Sequence, residues 1–180
     1  MLAGAFEGAP SAIGSGARPV ARRLLMRVPV DACARAGGLL TADAAGEVLG
    51  VAAWLPGSRR GDGHVWTSGS WRLLPLLGVR ALRAVLRQAA ESDRLVSRYV
   101  APDDAYLWLV GVAPSAQGGG AGGALVRAVV ADARAAGHGR VVLVTHDEAN
   151  VLLYRRLGFH LVDDTARSRG HVLHVMARTT

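Results

Sequence analysis

The sequence contains no lysine: its 21 basic residues are all arginine, and Cys33 is its single cysteine. One cysteine excludes an internal disulfide framework and fits a reducing compartment. Aromatic residues make up only 5% of the chain, the arginines are spread along it, and no RNA- or DNA-binding motif appears. That combination argues against a nucleic-acid partner. No apolar run approaches the roughly 18 residues needed to cross a bilayer. The opening MLAGAFEGAP lacks a basic region followed by an apolar core, so it does not read as a signal peptide. The expectation is a soluble, cytoplasmic protein with no membrane and no nucleic acid among its partners.

What is present is 51% hydrophobic residues and a net charge of +7. A length of 180 residues fits one domain, 1–180, able to bury a sizeable core. A basic surface suits the attraction of an anionic cofactor. The absence of lysine beside abundant Ala, Gly and Val matches the codon bias of a GC-rich genome.

Residues 1–36 carry two short helical patterns broken by Gly and Pro. Strands over about 38–42 and 47–55 flank a polar DAAG turn, predicting a hairpin. GSRRGDGHVWTSGS reads as a mobile loop. A long helical segment follows from Trp71 to about Tyr99, broken early at Pro75 and Gly78, with Leu82, Val85, Leu86 and Ala89 on one face. Arg80, Arg83 and Arg87 form a solvated stripe on it. AYLWLVGVAP is an apolar strand, and GGALVRAVVADARAAG a helix with a Leu125, Val126, Val129, Val130, Ala133 stripe closed by Gly137. RVVLVTH is a buried strand, NVLLYRRLG a short helix ending at Gly158, and FHLVDD and HVLHVMA a closing pair of strands. The fold class is α/β around a mixed sheet, with no internal repeat. His171 and His174 alternate across one predicted strand, so no metal site is expected there.

Between the apolar strand and the helix lies GVAPSAQGGGAGGALV, with five glycines from Gly118 to Gly123. Such a cluster marks a backbone that bends sharply or comes close to a ligand. Gly118, Gly120 and Gly123 satisfy the dinucleotide pattern G-x-G-x-x-G, with Asp147 near the position of a ribose-binding acid. Against an oxidoreductase, APSAQ separates the glycines from the strand, and too little chain follows Asp147 for further βαβ units. The other parse is Gln117-x-x-Gly120-x-Gly122, five residues beyond Val112.

In that parse VGVAPSAQGGGAGGALV followed by NVLLYRRLGF resembles the cofactor-binding core of the GCN5-related N-acetyltransferases, or GNAT family. The resemblance covers residues 106–160 well and 38–55 and 161–178 loosely. YLWLVGVAPSAQG is similar to the small-amine branch that includes puromycin N-acetyltransferase. The resemblance implies a GNAT-like acyltransferase fold, acetyl-CoA as cofactor, and transfer of its acetyl group to a primary amine of a small molecule by direct attack. Backbone N–H groups at Gln117, Gly118, Gly119, Gly120, Ala121, Gly122 and Gly123 open a helix, where the dipole favours a pyrophosphate. By resemblance, Val110 and Val112 hydrogen-bond the pantetheine arm as an added strand would, and an N–H near Val112 stabilises the oxyanion.

Tyr154 matches the family's tyrosine, four residues after Asn150, and is expected to protonate the leaving thiolate. Asn150 is expected to cap the short helix or bond the pantetheine. Related enzymes often carry a Glu on the strand before the Asn, where this chain has Val144. His146 is the first candidate for the general base, with His64, Asp147, Glu148 or an ordered water as alternatives. Trp54, Tyr106 and Trp108 are candidates for the acceptor pocket, with core packing as the competing role. The family's usual first strand is not evident: either the true start lies upstream, or the fold lacks that strand and the exposed sheet edge would invite a homodimer. A degenerate acyl-CoA-binding sensor without efficient turnover is the alternative function.

Overall fold

A continuous run of apolar residues, as expected for a strand buried on both faces, makes the eight-residue strand AYLWLVGV, and the rest of the fold is arranged around it. The computed structural model describes residues 29–60, 83, 87, 90–91, 93–168 and 171–180. In chain order it holds β1 (Gly38–Ala44), β2 (Glu47–Pro56), β3 (Ala105–Val112), helix α1 (Ala121–Ala135), β4 (Arg140–Thr145), helix α2 (Glu148–Arg156), β5 (His160–Asp163), β6 (Arg167–Ser168), β7 (His171–Val172) and β8 (His174–Thr179). Residues 29–36 and 93–96 are also helical.

Six strands form one sheet in the order β1-β2-β3-β4-β8-β5, and β6 and β7 pair apart from it. The β3–β4 pair is parallel, joined through α1, and the other neighbours run antiparallel. This is the expected α/β mixed sheet. The predicted hairpin is β1–β2, closed by Ala45 and Gly46 at φ 50° and 82°, the paired positive φ values of a type I′ turn. The closing segment differs from its expected form. Instead of one strand through both histidines, His171 lies in β7 and His174 opens β8.

Helix α1 lays its Leu125, Val126, Val129, Val130, Ala133 stripe on the sheet, as its period requires. Beneath it Trp54, Leu107, Leu143, Phe159 and Met176 form the main core. On the opposite face Cys33, Val51, Ala53, Leu55 and Leu109 form a second cluster, and Val96, Val100, Val142, Val175 and Ala177 a third. Among the described residues no helix is long and apolar enough to cross a membrane.

The loop over 57–70 is described only to Arg60, where Gly57–Arg59 forms one turn of 3-10 helix. Its remainder, the segment 1–28 and most of the Trp71–Tyr99 helix lie outside the described residues, and with them the question of a first strand. Arg83 and Arg87 are helical and exposed, in keeping with a solvated stripe. Among the described residues β1 and β5 are the two edges of the sheet.

Candidate active site

Two strands that begin as partners part company at the centre of the sheet. β3 and β4 pair only over Ala105–Leu107 against Val141–Leu143, although β3 runs on to Val112 and β4 to Thr145. The cause is one residue. On β2, Ala53 faces Leu109 while the next residue, Trp54, faces Leu107, so Trp108 is an extra residue on β3. A bulge of this kind bends the strand that carries it. It also puts Trp108 and Leu109 on the same face, beside Cys33, while Leu107 and Val110 stay with α1.

Beyond the bulge the backbone parity is set by Ala113, whose N–H donates to Leu49 O on β2 at 2.7 Å. Amides alternate along a strand, so Val112 and Val110 turn their N–H and C=O to the other edge, into the gap beside β4. Val112 O accepts from Gln117 Nε2 at 3.2 Å, which ties the glycine loop back to the strand. The chain then makes one 3-10 turn over Pro114–Ala116 and reaches Gly118 and Gly120 at φ 80° and 83°. Left-handed φ at both is the physical reason these two are glycine. Gly120 is the N-cap of α1 and offers no side-chain cap, and Ala124 N starts the helical ladder on Gly120 O at 3.0 Å. The N–H groups of Ala121, Gly122 and Gly123 therefore have no acceptor within the helix. A Cβ at Gly118 or Gly120 would meet nothing within 4 Å, and one at Gly122 would rest 3.5 Å from Val112 Cγ2. The first turn holds no acidic residue. An open cradle of backbone donors at a helix start fits a pyrophosphate.

Helix α2 brings the second half of the predicted site to the same face. Tyr154, Val110 and Val112 all pack against the main core. Tyr154 meets Phe159 edge to face at 5.7 Å, and burial pushes its phenol up to about 12. The expected capping role of Asn150 passes to another residue. Asp147 is the N-cap of α2, its Oδ1 accepting from Ala149 N at 2.9 Å, and Asn150 sits exposed inside the first turn. His146 stands one residue beyond β4, at the end of the sheet where α2 begins, and is partly buried. Val144 packs with Tyr99 and Tyr106 on the third cluster. His64 lies outside the described residues.

The three acceptor candidates divide between the two faces. Tyr106 and Trp108 stand together, ring centroids 6.4 Å apart. Trp54 is corrected out of that group: it faces α1, 3% exposed, and its indole Nε1 donates to Asp132 Oδ2 at 2.8 Å. Alternation along β2 puts it back to back with Ala53 and Leu55, so it fills the main core. Beside Tyr106 lies Arg60, whose guanidinium is 5.2 Å from the Tyr106 ring centroid and pairs with Asp93 Oδ1 at 2.7 Å. Burial raises the Tyr106 phenol to about 12, with Arg60 acting against it. Arg60 and Asp93 are 33 residues apart and belong to no motif, so no local signal marks them.

Residues 21–159 match the profile of a family described as Acetyltransferase (GNAT) family. No curated protein matches the chain. A histone acetyltransferase HPA2 and related acetyltransferase from Corynebacterium glutamicum is similar in structure, with a TM-score of 0.64 over 98% of this chain and 86% of that one at 24% identity. A GNAT family acetyltransferase from Elizabethkingia anophelis with acetyl-CoA bound gives 0.53 over 93% and 95% at 15% identity. Nourseothricin acetyltransferase is 27% identical over 43% of this chain and 50% of its own length, with a TM-score of 0.39. This chain therefore spans about half the length of that protein.

Proposed function

The chain belongs to the GNAT acetyltransferase family, and on that premise we propose that it acts in the cytoplasm, as a single domain, on the primary amine of a small molecule. Its cofactor is acetyl-CoA, which supplies an acetyl group activated as a thioester. The observation that carries the reading is the gap between β3 and β4, which are paired only as far as Leu107 and Leu143 while β3 runs on to Val112.

Each residue has a place in that proposal. The amides of Gly118 to Gly123 hold the pyrophosphate, and the absence of side chains lets the backbone approach it. Val110 and Val112 present N–H and C=O to the pantetheine along the gap. Tyr154 Oη holds its proton through the whole physiological range and delivers it where the thiolate leaves. An amine resting on Tyr106 and Trp108 would approach the gap from the face opposite α1. His146, at the end of β4, is the candidate to take up the amine's proton, directly or through water. Asn150, beside Tyr154 on α2, is a candidate partner for the pantetheine. A homodimer formed along the β1 edge completes the proposal, and light scattering of the purified chain tests it.

Val144 favours a second reading. An apolar residue stands where related enzymes carry a Glu, which suits a module that binds acyl-CoA without efficient turnover. Wild type and Tyr154→Phe together separate the two. We expect kcat with a reactive amine to fall by well over tenfold while the Kd for acetyl-CoA is retained. A wild type that binds acetyl-CoA but shows no measurable kcat would leave the binding module as the better description, and an unchanged kcat in the variant would remove Tyr154 from the acid role.

A further inference from the structure

Helix α1 has a second face that the proposed chemistry does not use. Arg127, Val130, Ala131, Arg134 and Ala135 line one side of an open cleft of about 610 Å³, and Arg178 of β8 lines the other. The volume lies within the range of sites for ligands of nucleotide size. The side chains of Arg127 and Arg134 are exposed and make no hydrogen bond or ion pair among the described residues. The one acidic residue of α1, Asp132, is turned to the sheet and engaged by Trp54. Arg178 is held in place: Nη1 donates to Leu157 O at 2.6 Å, leaving its other donors for the cleft.

Three guanidinium groups beside Thr180, with no Asp or Glu side chain among the lining residues and an apolar floor of Val130, Ala131 and Ala135, match a compact dianion attached to an apolar body. Forked donors favour phosphate oxygens, and an anchored arginine loses little freedom on binding. The cleft adjoins the cofactor cradle at one end, since a Cβ added at Gly123 would lie 3.4 Å from Arg127 Nη1. It then follows α1 for two turns to Arg134, about 10 Å at 1.5 Å per residue.

We propose that this cleft binds a phosphomonoester. The group comes either from the ribose phosphate of the bound cofactor or from a separate phosphorylated metabolite, and one variant distinguishes the two sources. Arg127→Gln with Arg134→Gln removes two guanidiniums from exposed positions, so the unliganded melting temperature should not move. Titration calorimetry then compares CoA with 3′-dephospho-CoA, and separately adds AMP to the CoA-saturated protein. If the cofactor is the source, the wild type prefers CoA by at least about tenfold and the double variant loses that preference. If the source is separate, AMP binds the saturated wild type and binds the double variant at least about tenfold more weakly. Identical behaviour of the two proteins in both arms overturns the proposal. An equal loss for CoA and 3′-dephospho-CoA with no AMP binding also overturns it, because Arg127 would then serve the pyrophosphate. The proposal rests partly on the acetyl-CoA reading. AMP titrated into unliganded wild type and double variant reports on the cleft even if CoA fails to bind, so the two failures are told apart.

Discussion

Tyr154 and Tyr106 are the two phenols whose environment matters most, and both respond to burial in the same direction. Each is raised from the usual 10 to about 12. A folded phenol with a raised pKa keeps its proton where the unfolded chain has lost it. The associated stabilisation is complete below about pH 10 and disappears as pH rises from there towards 12. Denaturant melts taken between about pH 8 and 11.5 should show stability falling above pH 10, less steeply in Tyr154→Phe. The same shift keeps Tyr154 protonated, so no loss of kcat from phenol ionisation is expected below about pH 10. Trp54 makes a different prediction. Trp54→Phe breaks the bond to Asp132 inside the main core and should lower stability by about 1–3 kcal/mol. The KM for the amine should stay unchanged, because the indole lies on the face away from Tyr106 and Trp108. A raised KM with intact stability would return Trp54 to the acceptor pocket.

At the scale of elements, the strand-to-helix junction after β3 does two jobs. Its glycines let the chain turn at left-handed φ, and they leave the start of α1 bare. Gly120→Ala tests both. A Cβ there meets no atom within 4 Å, but φ is 83°. The left-handed backbone should cost about 1–2 kcal/mol of stability, read from the shift in denaturation midpoint. The methyl group also stands in the cradle, so the Kd for acetyl-CoA should rise by at least about tenfold, read by calorimetry. A stability loss with unchanged affinity would mean that the phosphates do not sit over Gly120. The bulge at Trp108 works at the same scale: one extra residue bends β3, and beyond it the backbone N–H and C=O of Val110 and Val112 face the gap beside β4.

For the whole molecule the expectation concerns ligand linkage. Acetyl-CoA or CoA at ~100 times its Kd should stabilise the fold by about 2.7 kcal/mol, a shift of several degrees in Tm for a chain of this size. NAD and ATP should shift it little. A shift with NAD that exceeds the shift with CoA would revive the dinucleotide parse of the glycine loop. The basic character of the molecule acts at this scale too. A net charge of +7 raises the local concentration of an anionic cofactor before any contact forms.

What the sequence determined by itself is local in origin. The continuous apolar run AYLWLVGV defines a strand, the 3.6-residue period of Leu125 to Ala133 defines the buried face of α1, and the glycines between them mark a backbone that must turn and stay uncovered. The four-residue step from Asn150 to Tyr154 puts both on one helix, and that too is visible without a fold. What only the tertiary structure decided depends on register and on contacts between distant residues. Nothing in the sequence marks Trp108 as the extra residue on β3, because a bulge exists only relative to a partner strand. The faces of Trp54, Tyr106 and Trp108 follow from that register, so the three could not be sorted beforehand. The role of Asp147 as the cap of α2 turned on where the helix begins, which its side-chain bond to Ala149 settles. Arg60 meets Asp93, and Arg178 meets the cleft along α1, across separations no periodicity spans. Short-range sterics and patterning write the elements into the chain, and packing between them decides which side chains share a site.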